Sequence, residues 1–353
     1  MPISFSKQLL TWYKQYGRHD LPWQQNPTAY RVWISEIMLQ QTQVITVIDY
    51  YARFMQRFPT LSALATASED EVLSYWSGLG YYARARNIHK TAKIIHERFD
   101  TAFPTTVEAL SELPGIGKST AGAILSFSSQ QKAVILDGNV KRVLTRYFAI
   151  AEPVNQTSTI QDMWKLADEL TPKKNAHRYN QAIMDLGATL CTRTKPRCVD
   201  CPFSSSCLAY KNNQPMFYPV KTAKKARPMK STRMLIIQNK QDEILLLKRP
   251  SKGIWGGLWS FPECDVQQNY TVFQHENLSL KLKYIDEFEK ITHQFTHFTL
   301  TIFPMIVRIN NRIAPTFVPT QAMWYTLNSE LPGGVAAPVT KILNLLKQGE
   351  ITS

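Results

Sequence analysis

The 353-residue chain is short of acid: 27 Asp and Glu stand against 41 Lys and Arg, a formal net charge of +14. Such an excess does not choose a fold, but it favours a polyanionic partner, nucleic acid above all, through counterion release. Long apolar runs are missing as well, and none approaches the ~20 residues that a membrane-spanning helix needs. The opening Met1-Pro-Ile-Ser-Phe-Ser-Lys7 has no continuous apolar stretch before a small-residue cleavage site, so no secretory leader is read there. Cysteine is scarce: there are five, four of them between residues 191 and 207. With neither a leader nor a membrane span read, the expected compartment is the cytoplasm, where thiols stay reduced and disulfides are rare. There is no low-complexity tract and no internal repeat. The remaining composition, 44% hydrophobic and 19% charged, is that of a globular protein.

This length predicts two domains. Apolar residues recur at helical spacing over residues 4–15, 30–58, 69–77, 83–98, 119–128, 138–148 and 160–170, with prolines punctuating the segments. Residues 216–230 hold five basic residues, two prolines and no acid, which reads as a basic linker. Beyond it the period changes. Residues 234–237 and 243–247 flank a polar turn like the arms of a hairpin, strand-like stretches run from 291 to 307, and a last helix fits 338–347. The expected architecture is a mostly α domain over 1–215, the linker, and an α/β domain over 231–353.

Three local patterns carry chemistry. Leu113-Pro-Gly-Ile-Gly-Lys-Ser-Thr-Ala-Gly122 sets Gly115 and Gly117 in a tight turn before a helix. Free N–H groups and the positive dipole end at a helix start can hold a phosphate. This is a helix-hairpin-helix pattern, suited to gripping a nucleic-acid backbone without reading sequence, although a ligand-free helix turn would look similar. The four clustered cysteines follow Cys191-x6-Cys198-x2-Cys201-x5-Cys207. That spacing admits a [4Fe–4S] cluster, a zinc site or unligated thiols. A metal in the loop would stiffen it and make Arg193, Lys195 and Arg197 a preorganised phosphate grip. The third pattern is a pair of carboxylates. Glu36 has Val32, Trp33 and Leu39 within a turn, and desolvation there would raise its pKa toward general-acid use. Asp137 opens a helix, where backbone N–H groups favour its ionised form. A buried ion pair and a plain helix cap are the structural alternatives; together the two acids fit glycosidic chemistry.

Over essentially its whole length the sequence resembles adenine DNA glycosylases of the MutY type. The resemblance rests on Ser35-Glu-Ile-Met-Leu-Gln-Gln-Thr-Gln43, Gly78-Leu-Gly-Tyr-Tyr-Ala-Arg-Ala-Arg86, Leu113-Pro-Gly-Ile-Gly117, Leu136-Asp-Gly-Asn-Val140, Asn180-Gln-Ala-Ile-Met-Asp-Leu-Gly187 and the cysteine loop. It implies a helix-hairpin-helix glycosylase fold with a [4Fe–4S] loop at 191–207 and a Nudix-like lesion-recognition domain. It also implies a monomer that acts in base excision repair on duplex DNA with adenine opposite 8-oxoguanine or guanine. By the same resemblance Glu36 protonates adenine, Asp137 stabilises the sugar cation and Asn139 assists. Gln41 and Tyr81 wedge into the base stack, and Trp23 and Asp185 line the pocket for the extruded adenine. Gly115, Gly117, Lys141, Arg193, Lys195 and Arg197 meet the backbone. Phe295, Thr296 and His297 take the place of a Phe-Ser-His loop that meets 8-oxoguanine.

The chain departs from related patterns at several points. Glycosylases that also cut the strand, such as endonuclease III, keep a catalytic lysine two residues after the second hairpin glycine. Ser119 stands there instead, with Lys118 one residue early, so water is expected to complete the reaction with little or no strand cleavage. After Gly256-Gly-Leu-Trp-Ser-Phe-Pro262 the Arg-Glu-x2-Glu-Glu-x-Gly run of Nudix hydrolases is absent, which predicts recognition and not hydrolysis. Thr296 replaces a serine, and His19 occupies a position that the family often fills with a basic residue. A glycosylase/lyase of the endonuclease III kind and a noncatalytic DNA-damage-binding protein are the alternatives.

Overall fold

The computed structural model describes residues 2–222, 226–276, 278–310 and 321–348. Residues 223–225 of the expected linker lie outside the described residues. The chain divides into two compact units. The first comprises Met1–Thr66 and Asn87–Lys224, the second Ala67–Arg86 and Lys225–Ser353.

In chain order the first twelve helices are α1 (Pro2–Tyr16), α2 (Ala29–Leu39), α3 (Val44–Arg57), α4 (Leu61–Thr66), α5 (Glu69–Trp76), α6 (Ala83–Arg98), α7 (Val107–Ser111), α8 (Lys118–Ser129), α9 (Gly138–Tyr147), α10 (Thr157–Leu170), α11 (Ala176–Thr189) and α12 (Leu208–Lys211). The core of the first unit follows from helical spacing. Phe5, Leu9, Trp12 and Tyr13 of α1 share a core with Val140, Val143 and Leu144 of α9 and with Tyr179, Ala182, Ile183 and Leu186 of α11. The sequence predicts one helical region over 30–58, and the structure breaks it. Helix α2 ends at Leu39, α3 begins at Val44, and Gln41 between them takes a left-handed φ of 60° that a helix cannot continue. Asn175 at the N-cap of α11 is a residue type that suits a helix start, but it is itself left-handed and makes no side-chain cap.

Among its described residues the second unit has nine strands: β1 (Met229–Gln238), β2 (Ile244–Lys248), β3 (Trp259–Ser260), β4 (Glu263–Cys264), β5 (Val272–His275), β6 (Leu278–Glu287), β7 (Ile291–Gln294), β8 (Thr299–Ile309) and β9 (Ala322–Tyr325). Among the described residues they form a mixed sheet whose main path runs β3-β2-β1-β8-β6-β5. Strands β1 and β8 are parallel and in register from Met229↔Thr299 to Gln238↔Arg308. The expected hairpin is present as β1 and β2, antiparallel at Gln238↔Ile244. The stretch 291–307 resolves into β7 and β8 with a tight turn between them. A final helix, α13 (Ala337–Gln348), buries Val339, Ile342, Leu343 and Leu346 at i, i+3, i+4 and i+7.

Helix α5 and the turn after it group with this sheet, whereas the sequence assigns them to the domain 1–215. Asp70 Oδ2 pairs with Lys248 Nζ at 2.7 Å, and the hydroxyl of Tyr82 donates to the Val335 carbonyl at 3.1 Å. Helical periodicity shows that residues 69–77 bury a face, but it does not say which core receives that face. No helix among the described residues is long and apolar enough to cross a membrane.

Candidate active site

Within the first unit, a cavity of about 500 Å³ is lined by Tyr13, His19, Trp23, Gln24, Val32, Ser35, Glu36, Phe127, His177, Arg178 and Gln181, among others. Helix α2, capped by Thr28, whose hydroxyl accepts from Arg31 N at 3.2 Å, turns Tyr30, Trp33, Ile34, Ile37 and Met38 into the core. Glu36 is left half-buried on the cavity wall. Burial, reinforced by the negative charge of Asp137, pushes its carboxyl from 4.5 up to about 8. At neutral pH Glu36 therefore holds a proton that it can deliver.

Trp23 sits in a short 3-10 turn, Pro22–Gln24, with its ring edge-on to Tyr51 at 5.6 Å. Asp185, expected in the pocket, is fully buried and does not line the cavity. It accepts from the backbone N of Arg18 at 2.8 Å, from Arg18 Nε and Nη2 at 2.9 and 2.6 Å, and from Gln181 Nε2 at 2.9 Å. Asp185 thus fixes Gln181, a wall residue, from behind. Gln181, His177 and Arg178 of α11 and Gln24 of the 3-10 turn went unnoticed in the sequence, because single polar residues carry no pattern of their own.

Asp137 caps α9, its Oδ1 accepting from Val140 N at 2.8 Å and its Oδ2 from Asn139 Nδ2 at 2.9 Å. The sequence predicts that these bonds and the helix dipole keep the carboxyl low. In the structure burial outweighs the hydrogen bonds and the charge of Arg142, so the pKa is raised from 3.8. Asn139 Oδ1 in turn accepts from Arg142 Nη2 at 2.8 Å, and Arg142 also donates to the carbonyls of Gly187 and Cys191, both at 2.7 Å. A Cβ on Gly187 would stand 2.7 Å from that of Asn139, so only glycine lets α11 approach α9 here. The hydrogen-bonded chain Asp137–Asn139–Arg142 ends on the cysteine loop.

The hairpin lies between α7 and α8. Gly115 has a φ of +79° and would clash with Asn87 if it carried a Cβ. Gly117 is the N-cap of α8 and makes no side-chain cap, which leaves the first N–H groups of the helix open to an anion. Ser119 Oγ accepts from Leu136 N at 3.0 Å, bracing the segment that leads into Asp137. Lys118 Nζ lies 4.4 Å over the ring of Trp164, directed to α10. Lys141 is half-buried on α9.

Cys191, Cys198, Cys201 and Cys207 all line one small cavity whose other walls include Leu190, Pro196 and Pro215. Their charges are mutually felt: burial and the neighbouring sulfurs raise Cys198 and Cys207 and push Cys201 up to about 12. The buried Arg146 donates to Cys191 Sγ at 3.3 Å and to the Thr192 and Arg193 carbonyls at 2.7 and 3.3 Å. Among the described residues no three His, Cys, Asp or Glu side chains are set to hold a single metal ion. Four thiols lining one cavity are a donor set that suits a [4Fe–4S] cluster and equally a zinc ion. Arg193, Lys195 and Arg197 stand exposed on the same loop.

Gln41 belongs to the first unit and Tyr81 to the second. Both are exposed with positive φ, 60° and 51°, an arrangement that lets a side chain project from its turn. In the second unit, Phe295 N donates to the Phe298 carbonyl at 2.9 Å and closes a tight turn, with Thr296 and His297 exposed at its tip. Among the described residues no helix lies between Pro262 and α13, and Glu263 is ion-paired with Arg249. Cys264 packs at the edge of the sheet core.

Residues 34–169 match the HhH-GPD superfamily of base excision DNA repair proteins, and residues 233–345 match the NUDIX domain family. The chain is 42% identical to the adenine DNA glycosylase of Buchnera aphidicola subsp. Baizongia pistaciae, over 98% of this chain and 97% of that protein. It is 32% identical to the human adenine DNA glycosylase, over 97% of this chain and 74% of the human one. Among solved structures, a thermostable thymine-DNA glycosylase superposes with a TM-score of 0.55 at 27% identity, covering 60% of this chain and 97% of that one. The helical first unit, its hairpin and the mixed sheet of the second are accounted for together: the chain belongs to the adenine DNA glycosylase family of base excision repair enzymes.

Proposed function

We propose that the protein hydrolyses the N-glycosidic bond of adenine opposite 8-oxoguanine or guanine in duplex DNA, without cutting the strand. The observation that carries this reading is Glu36. It is a carboxyl with a pKa of about 8 on the wall of a cavity large enough for a base, and it feels the charge of Asp137. An adenine extruded into that cavity, beside Trp23 and Gln181, takes the Glu36 proton at N7. The C1′–N9 bond then breaks with its electron pair leaving on adenine, and the developing sugar cation is stabilised by the Asp137 carboxylate, which Asn139 orients. Water adds at C1′ and releases a proton. The hydrolytic reading is supported at the hairpin, where Ser119 is engaged with Leu136 N and Lys118 lies on Trp164, so neither offers an amine to the site from the position that strand-cutting relatives use.

Gly115, Gly117, Lys141, Arg193, Lys195 and Arg197 bind the backbone, Gln41 and Tyr81 enter the stack, and Phe295, Thr296 and His297 meet the base opposite. Cys191, Cys198, Cys201 and Cys207 hold a [4Fe–4S] cluster, which supplies rigidity to the loop and no step of base removal. The protein acts as a monomer. Adenine release from duplexes with A opposite 8-oxoguanine, G or T tests the reading: release in that order supports it, and release from none of them with DNA binding intact favours a damage-binding protein.

A further inference from the structure

Resting on that reading of the 295–298 turn, we propose that Trp255 is the positioning residue that fixes this turn for recognition of an oxidised purine opposite adenine. Alternation along β7 puts His293 and Phe295 on the face that Ile291 buries, while Thr292 and Gln294 point to solvent. The turn folds Phe298 back so that its ring stacks on Phe295 at 4.5 Å and 19°. Trp255 completes this cluster from another loop, its ring centroid 5.2 Å from Phe295 and 5.3 Å from His293, which are themselves 4.6 Å apart. Three rings in pairwise contact hold Phe295 on two sides.

The backbone of Trp255 points the same way. Its φ is +52°, a conformation rare for a bulky residue and free of strain for glycine. Glycine stands at 253, 256 and 257 on either side, yet the strained position itself carries a tryptophan that is 8% exposed. Strain held at one residue of a glycine-rich loop marks a side chain that is needed there. The loop is tied down at its base. Arg249 Nε donates to the Ile254 carbonyl at 2.9 Å, its guanidinium lies 5.8 Å from the Trp255 ring centre, and it is ion-paired with Glu263. The segment that would carry metal-binding acids in a Nudix hydrolase thus serves here as a support. On the far side of the cluster, Lys230 Nζ sits 5.1 Å over Phe298. Trp255 acts through Phe295 and presents Thr296 and His297 in one orientation.

The test is single-turnover adenine release by the full chain from A:8-oxoguanine and A:G duplexes, for the wild type and Trp255→Ala, Trp255→Leu and Trp255→Phe, each checked by thermal melting. The ratio of the two rates is expected to fall by up to roughly tenfold in the Ala and Leu variants, the range of one aromatic pair, and to recover in Phe. An unchanged ratio in a folded Trp255→Leu would overturn the proposal, as would an equal fall in both rates. Should Trp255→Ala not fold, the comparison of Leu with Phe decides. A wild type without preference for 8-oxoguanine defeats the underlying reading of the turn, whereas a preference that survives loss of the ring defeats only the role of Trp255.

Discussion

Glu36 owes its proton to where α2 leaves it, half-buried on a cavity wall and within reach of another carboxylate. The sign of the pH dependence follows. On the proposed mechanism base removal needs Glu36 protonated, so the rate is expected to fall as pH rises through about 8; it needs Asp137 ionised, so the rate is also expected to fall as pH drops through a value above the ordinary 3.8. The linked effect on stability has one direction. Between pH 4.5 and about 8 the unfolded chain ionises Glu36 while the folded chain keeps its proton, so stability declines with rising pH across that window. Glu36→Gln removes this liability. The variant is expected to release adenine roughly 10²- to 10⁴-fold more slowly and to melt roughly 2–4 °C higher at pH 8.5, with no gain at pH 4. A rate profile combined with melting at the two pH values checks both. A Gln variant that is slow but no more stable at high pH would place the cause in binding and not in the proton.

At the scale of elements, the site depends on helices meeting more closely than side chains allow. Helix α11 reaches α9 only because Gly187 has no Cβ to strike Asn139. Gly187→Ala is expected to lower stability by about 1–3 kcal/mol through overpacking and to slow adenine release, because Asn139 and through it Asp137 are displaced. Denaturant midpoints and single-turnover rates read the two effects separately. These contacts also mark where the sequence was legible. Residues 4–15, 83–98, 119–128, 138–148 and 160–170 carry clear apolar periods and are helices close to the predicted ends. The break at Gln41 is invisible to periodicity, because the apolar spacing continues across it. Helix α11 was not read from its spacing, although Asn175 suits a helix start and Tyr179, Ala182, Ile183 and Leu186 bury one face; the wall residue Gln181 on it carries no signal of its own. Asp185 was legible as important but not as support. Only the structure shows its oxygens committed to Arg18 and Gln181.

At the scale of the whole molecule, charge and chain division bear on function. The net charge of +14 predicts DNA affinity that falls steeply with salt, by a slope near −0.9 per phosphate neutralised. Replacing both Lys195 and Arg197 by Ala is expected to shallow that slope by roughly 2, without changing the preference among bases opposite adenine. Titrations of binding against salt settle the count; an unchanged slope would remove the cysteine loop from the interface. The division into units was the least legible feature. Composition shifts near residue 216, yet residues 67–86 group with the sheet, where Asp70 and Tyr82 find partners 178 and 253 residues further on at Lys248 and Val335.

The central claim is hydrolytic removal of adenine with Glu36 as acid and no lysine nucleophile. Its most direct test is a duplex with adenine opposite 8-oxoguanine, labelled on the adenine strand and incubated with wild type or Glu36→Gln, with and without hot alkali. The account predicts strand cleavage by the wild type only after alkali, and almost none by Glu36→Gln under either treatment. Equal cleavage without alkali, or full activity of Glu36→Gln, would contradict it.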